Sequence, residues 1–297
     1  MTSLCVSREA AISSQSFDAE RFKRDSRSSW DAAAAGWEKW WPLFERAAQS
    51  VSNRLVELAR IKPGDRVLDL ATGTGEPAIT AARAVGPNGR VIGVDHSSGM
   101  LEVARRRASA LRLANVEYRE GDAASLHEAL ASFDAVLCRW GLMFVPDLDS
   151  AARGIRAALK PGGFLAAAVW DTADKVPMIS IAGQQVRAML GIAPPPPGTP
   201  NPMSLADTGI LERALTNAGF REFKVEPMRV TFEFESPEKF LESRRDISYD
   251  FRTAIVSQTP EMQRKLEQVV ISEARPYVGA DGRMRCDNQA LLISAHS

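Results

Sequence analysis

The residues best placed to do chemistry are two carboxylates and a glycine turn. Asp69 sits inside the apolar run Val67-Leu68-Asp69-Leu70, the turn Thr72-Gly73-Thr74-Gly75 follows it, and Asp95 ends a second run, Arg90-Val91-Ile92-Gly93-Val94. Gly73 and Gly75 can take positive φ and bring the backbone close to a ligand. Pro77 suits the first turn of a helix, whose free N–H groups favour a carboxylate or phosphate. A bare strand-to-helix turn uses the same residues with no ligand. What favours a ligand is Asp95, which follows Gly75 by the roughly 20 residues expected of an acid that accepts from two ribose hydroxyls. The spacing points to a small anionic or zwitterionic ligand that contains a nucleoside. Gly73-Thr74-Gly75-Glu76-Pro77-Ala78 also satisfies the dinucleotide fingerprint, so a nicotinamide-dependent reductase stands as a rival reading.

These groups need a sheet to hold them. Strand-like runs recur at Val67–Leu70, Val91–Val94, Val116–Tyr118, Phe133–Cys138 and Phe164–Trp170, with helical stretches between them. That alternation predicts a doubly wound α/β sheet with its ligands at the carboxyl ends of the strands. Asp95, Asp122, Arg139 and Asp171 all fall at or just beyond those ends. Two more strands, Phe223–Phe234 and Ala290–Ala295, are separated by helical stretches and suggest an antiparallel pair at the sheet edge, giving seven strands. The segment Pro194–Pro200 must be extended. Upstream, residues 30–60 are helical in two pieces. Trp30, Trp37, Trp41 and Phe44 share a face that either packs on the core or forms a lid over the ligand, where it could also meet a cation. The division expected is a mobile tail at 1–29, a helical lid at 30–60, a cofactor-binding core at 61–170, and a substrate cap completing the sheet at 171–297.

Composition narrows the partner. Among 297 residues, 37 Lys+Arg balance 37 Asp+Glu, so nothing supports general attraction to nucleic acid or to an anionic membrane. The longest apolar run, Phe164–Trp170, is far too short for membrane insertion. The three cysteines and three histidines lack metal-ligand spacing, and the sparse cysteines fit a reducing, cytoplasmic setting. A small-molecule partner and no metal are expected.

Five stretches taken in order resemble the class I S-adenosylmethionine-dependent methyltransferases. They are Val67–Gly75, Val91–Leu101 (with Asp95 and Met100), Gly121-Asp122-Ala123, Phe133–Phe144, and Leu159–Gly163. Within that superfamily the sequence is most similar to the ubiquinone and menaquinone C-methyltransferase branch. The resemblance implies a Rossmann-like methyltransferase fold, a seven-stranded mostly parallel sheet with an N-terminal helical lid and a helical cap insertion. It implies that Asp69 and the Thr72, Gly73, Thr74 and Gly75 backbone surround the methionine part of S-adenosylmethionine, with Asp95 on the ribose and His96 beside it. Met100 would face the adenine, and Asp122 and Ala123 would read its edge. Trp37 aligns with an aromatic lid residue. Arg139 occupies a position that faces methionine in relatives, although the quinone enzymes often carry Ser there. No Tyr-x-x-x-Lys supports hydride transfer, while a non-catalytic binder on the same scaffold remains a third reading. A methyl acceptor, small and largely apolar or aromatic, would enter between the lid and the face carrying Trp140, Leu142, Met143 and Phe144, with Trp41 and Tyr249 as further contacts. No His stands at a strand end as an obvious base, which leaves Tyr249, Asp171 and Asp246 as weak helpers.

Overall fold

The computed structural model describes residues 17–123, 126, 130–193, 196 and 198–297. Its central sheet contains β1 (Arg66–Leu70), β2 (Arg90–Asp95), β3 (Val116–Glu120), β4 (Phe133–Arg139), β5 (Leu159–Trp170), β6 (Arg221–Phe234) and β7 (Met284–His296). The strand order is β3-β2-β1-β4-β5-β7-β6. The first five strands are parallel, and β7 runs antiparallel to both β5 and β6. Val67, Leu68 and Leu70 are fully buried, as a central parallel strand covered on both faces requires. The seven-stranded, mostly parallel sheet is the one the sequence predicts.

The helices are α1 (Ala19–Leu58), α2 (Ala78–Val85), α3 (Ser98–Ala110), α4 (Leu148–Ala158), α5 (Pro177–Leu190), α6 (Thr208–Asn217), α7 (Pro237–Ile247), α8 (Tyr249–Val256) and α9 (Pro260–Ala274). Helices α7 to α9 form the insert between β6 and β7. Several boundaries differ from expectation, among them that of β7, which begins at Met284 rather than Ala290. Lys160-Pro161-Gly162-Gly163, expected as a turn, lies within β5, where the register steps from Phe133↔Leu159 to Ala135↔Phe164. More consequentially, α1 is one helix of 40 residues that starts at Ala19, capped by Asp18, and keeps Pro42 in its interior. Residues 19–29, expected in the tail, continue the helix, and their side chains have tertiary partners that a polar composition does not reveal. Lys23 pairs with Asp122, and Arg27 pairs with Glu120. Docking, rather than propensity, accounts for most of a helix's stability in a protein. Residues 1–16 of the expected tail, and Pro194, Pro195 and Pro197 of the extended connection, lie outside the described residues, as do Cys5 and His127.

Gly36 shows why α1 approaches the insert so closely. A methyl group at that position would sit 2.1 Å from the backbone oxygen of Asp246 on α7. Among the described residues, no helix is long and apolar enough to cross a membrane, and no cluster of three metal-ligating side chains occurs.

Candidate functional site

Between α1 and the carboxyl ends of β1 to β4 lies a cavity of about 1140 Å³ including its open mouth. Its floor is the loop after β1. Gly73 takes φ +54° with open space where a side chain would be, while Gly75 takes φ +105°. A Cβ on Gly75 would stand 2.9 Å from the Tyr118 hydroxyl, so that glycine is required by packing behind the loop. Asp69 lies beneath it. Its Oδ2 accepts from Thr72 Oγ1 (2.6 Å) and from the Ala78 N–H at the start of α2 (2.9 Å), whereas its Oδ1 is buried with no partner. Burial pushes the Asp69 carboxyl up to about 7 against the pull of those donors.

Asp95 closes the adjoining wall. Its Oδ2 accepts from the Gly73 N–H (2.8 Å) and its Oδ1 from the Ser97 N–H (2.9 Å), so one carboxylate aims both the glycine loop and the entry to α3. Burial raises its proton affinity, only partly offset by His96 and those two N–H groups. At the far edge, Asp122 meets Lys23 Nζ at 2.9 Å.

The opposite wall is aromatic. Trp30 packs edge-on against Phe144 (5.6 Å, 77°), Trp37 against Phe44 (5.0 Å), and Phe44 against Phe232 (5.2 Å). Trp140 stacks on Trp170 at 4.3 Å and 12°. The indole N–H groups of Trp37 and Trp140 are buried without acceptors. Deeper in, α1 is fixed by a charged cluster. Arg139 donates to Ser52 Oγ (2.8 Å) and Glu45 (3.2 and 3.4 Å). Arg107 donates to the Thr74 carbonyl (2.6 Å) and stands 3.8 Å from Glu45 and 3.9 Å from Glu76. Burial works against the Arg139 charge, but Glu45 and Glu76 outweigh it and hold the guanidinium above its usual pKa. The same burial raises the Glu76 carboxyl and lowers Arg107.

Trp37, Thr72, Gly73, Thr74, Asp95, His96, Met100, Asp122, Ala123 and Arg139 all line this cavity, as do Trp140 and Phe144. Asp69 and Gly75 lie just behind the lining. The structure does not bring the remaining candidates there. Trp41 does not line the cavity, and Arg107 covers its ring at 4.1 Å. Met143 is buried, with its carbonyl bound by Ser204 Oγ. Tyr249 is exposed at the start of α8 beside Arg252. Asp246 accepts from Lys39 Nζ (2.7 Å) and Trp40 Nε1 (2.8 Å), joining α7 to α1. Asp171 accepts from Gln289, Lys175 and the Thr172 N–H. None of these three polar groups lines the cavity. Sequence reasoning missed Phe22, Lys23, Ser26 and Glu76, which also line the cavity. Ser26, Lys23 and Phe22 lie four, seven and eight residues before Trp30, so a stripe traced upstream from Trp30 would have found these three.

Residues 61–191 match a family model described as a methyltransferase domain. Over 108 residues the chain is 44% identical to a 2-phytyl-1,4-naphtoquinone methyltransferase of Synechococcus elongatus, a match covering 36% of this chain and 46% of that protein. Over 137 residues it is 37% identical to a demethylmenaquinone methyltransferase of Listeria monocytogenes, covering 43% and 58%. The matches thus span about half the length of these curated relatives. Among solved structures, the phosphoethanolamine N-methyltransferase 2 of Haemonchus contortus in complex with S-adenosyl-L-methionine is 25% identical, with a TM-score of 0.50 over 82% of this chain and 52% of that one. The comparisons thus agree on one segment: residues 61–191 are similar to a methyltransferase domain.

Proposed function

We propose that the protein transfers a methyl group from S-adenosylmethionine to a small, largely apolar or aromatic acceptor, at carbon or oxygen. The observation that carries this reading is that the glycine loop, Asp95 and Asp122 share one cavity with an aromatic wall, so a nucleoside ligand and an apolar acceptor would meet inside it. The residues fit the cofactor. Asp95 retains lone pairs for ribose hydroxyls beyond the two N–H groups it already accepts, and the open face of Gly73 admits a ligand. The unpartnered Asp69 Oδ1 beneath the loop is a charge partner for an ammonium group above it. Met100 would lie against the adenine, Asp122 and Ala123 at its edge, and His96 near the ribose. Thr72, Gly73 and Thr74 would enclose the methionine part, with Arg139 and Trp37 nearby.

When bound, the cofactor would supply a methyl group on a sulfonium, open to in-line displacement by the acceptor. The protein's contribution is to position the acceptor and to exclude water. Trp140, with its ring fixed on Trp170, and Phe144 would hold a flat acceptor, and the aromatic faces would favour a cation. The free indole N–H groups of Trp37 and Trp140 would be satisfied by oxygen substituents on the acceptor. Two relatives are named for naphthoquinone and menaquinone substrates, which supports a ring acceptor of that kind.

Calorimetry tests the reading. S-adenosylmethionine and S-adenosylhomocysteine should bind, and nicotinamide dinucleotides should not. Asp95→Ala should weaken binding by about 1 to 3 kcal/mol through unpaired ribose hydroxyls. Tight binding of a nicotinamide dinucleotide, with none of the sulfonium, would overturn it.

A further inference from the structure

Asp31 lies on α1, outside every motif that carries the resemblance, yet its carboxylate reaches the far side of the cavity wall. Its Oδ1 accepts from Ser97 Oγ (2.6 Å) and from the Gly99 N–H (3.0 Å), two donors at the start of α3. Ser97 is fully buried and already caps α3 by accepting from the Met100 N–H (3.1 Å). Its backbone N–H donates to Asp95 Oδ1, and Asp95 Oδ2 accepts from the Gly73 N–H. An unbroken chain of hydrogen bonds therefore runs from α1 through Asp31, Ser97 and Asp95 to the glycine loop.

The physical weight of this link exceeds that of the other attachments of α1 along the same edge. Lys23–Asp122, Arg27–Glu120 and Arg106–Glu38 join partly exposed side chains, for which solvent screening leaves little net energy. At Asp31 a charged acceptor meets a fully buried hydroxyl and a backbone donor at a helix N-terminus, where a negative charge is favoured. Gly99 leaves the room: a methyl group there would stand 3.4 Å from Asp31 Oδ1 and 3.2 Å from Ala34 Cβ, so a larger side chain would displace α1.

We infer that Asp31 is a positioning residue for Asp95, and that docking of α1 sets the carboxylate in the orientation that receives the ribose. This rests on the reading of Asp95 as the ribose acid given above. With Asp31 engaged, Ser97 is held from both sides and the Asp95 oxygens are fixed toward loop and ligand. Without it, the buried Ser97 hydroxyl and the Gly99 N–H lose their acceptor, and the wall behind Asp95 is free to shift.

Titration calorimetry of the full chain tests this with three probes: S-adenosylhomocysteine, 5′-methylthioadenosine and the 2′,3′-dideoxy counterpart of the latter. Wild type should prefer the ribose over the dideoxyribose ligand. Asp31→Leu should weaken S-adenosylhomocysteine about tenfold and bring the ribose preference close to one, the size expected for a charge-assisted bond lost from a buried site. Asp31→Asn keeps an oxygen acceptor without the charge. It should restore most of the preference, and it serves as the readout if Asp31→Leu fails to fold. A purely structural role would lower the melting temperature and leave the ribose preference intact. Retention of wild-type preference by Asp31→Leu, or its loss in Asp31→Asn to the same extent as in a folded Asp31→Leu, would overturn the inference. Failure of wild type to bind S-adenosylhomocysteine would overturn the functional reading as well. Binding with no ribose preference in wild type would overturn the role of Asp95, and with it that of Asp31.

Discussion

The two ends of the cavity, one proposed for the nucleoside and one for the acceptor, are built in different ways. At the nucleoside end the working groups are backbone N–H groups and carboxylates fixed within one strand-turn-helix unit and its neighbour. Asp69, Thr72, Gly73, Asp95 and Ser97 hold one another by direct bonds of 2.6 to 2.9 Å. At the acceptor end the wall is made of rings from four separate elements: Trp30, Trp37 and Phe44 on α1, Trp140 after β4, Trp170 at the end of β5, and Phe232 on β6. Those rings are held by packing, which depends on where α1 and the α7–α9 insert come to rest. The first end is held mostly within one stretch of the chain, with α1 reaching it through Asp31 and Lys23, and the second exists only once the whole fold is assembled.

Steric displacement of α1 should break the acceptor end and, through Asp31, loosen Asp95 at the other, and it is the largest effect expected. Gly36→Val places a branched side chain where even one carbon would meet the Asp246 carbonyl at 2.1 Å, so α1 and α7 must separate. The cost should be about 1 to 3 kcal/mol of stability, the range for overpacked sites. Urea unfolding measures it. In parallel, near-ultraviolet circular dichroism should lose tryptophan signal. If stability and tryptophan signal stay as in wild type, the close seat of α1 on the insert is wrong.

The legibility of each end follows from the same contrast. The glycine loop and Asp95 could be read because hydrophobic runs, turn glycines and an acid at fixed spacing lie within one stretch of chain. The parallel sheet could be read for the same reason. The start of α1 could not, since Lys23 and Arg27 are held by Asp122 and Glu120 from a different part of the sequence. Nor could the positions of Trp41, Asp171, Asp246 and Tyr249. Trp41 shares a nominal face with Trp37, but a buried Arg107 draws it to the charged cluster instead. Asp171 does stand at the end of a strand, yet Gln289 on the neighbouring antiparallel strand claims it. Sequence spacing places a residue on an element and does not choose among its neighbours.

An intermediate effect should appear at the nucleoside end as a pH dependence. A carboxyl whose folded-state pKa is raised to about 7 by burial keeps its proton longer when folded than when unfolded. Asp69 is therefore without penalty below about pH 4, and stability erodes as pH climbs from there to about 7, at no more than about 1.4 kcal/mol per pH unit. Asp69→Asn should remove that component, so the difference between wild type and variant in urea unfolding should shrink as pH falls from 8 to 5. A cofactor ammonium above the loop would favour the ionised form, so wild-type affinity for S-adenosylhomocysteine should rise as pH climbs from 5 to 8, and the variant's should rise less. Parallel pH profiles for the two proteins would mean that Asp69 does not titrate there.

The smallest effect is expected where sequence reading suggested a base. Tyr249, Asp171 and Asp246 are directed to the surface or to structural partners, and the titratable groups that line the cavity are Lys23, Glu76, Asp95, His96, Asp122 and Arg139. Of these, Asp95, His96 and Asp122 belong to the nucleoside end. Glu76 is engaged by Thr80 (2.7 Å) and lies near Arg107, while Arg139 is engaged by Glu45 and Ser52. The aromatic wall thus presents no dedicated general base among the described residues, and a phenol or enol acceptor would have to ionise by its own acidity. Tyr249→Phe and Asp171→Asn should change the single-turnover rate at saturating substrate by less than about twofold. Across acceptors of graded acidity, the pH at which that rate half-rises should follow the acceptor. An inflection that stayed at one pH for every acceptor and vanished on changing a single side chain would locate a base at the acceptor end, and general-base catalysis would then account for about 10²- to 10⁴-fold of the rate. The two ends would in that case be alike in carrying a chemically active side chain, and the division of labour drawn from their construction would fail.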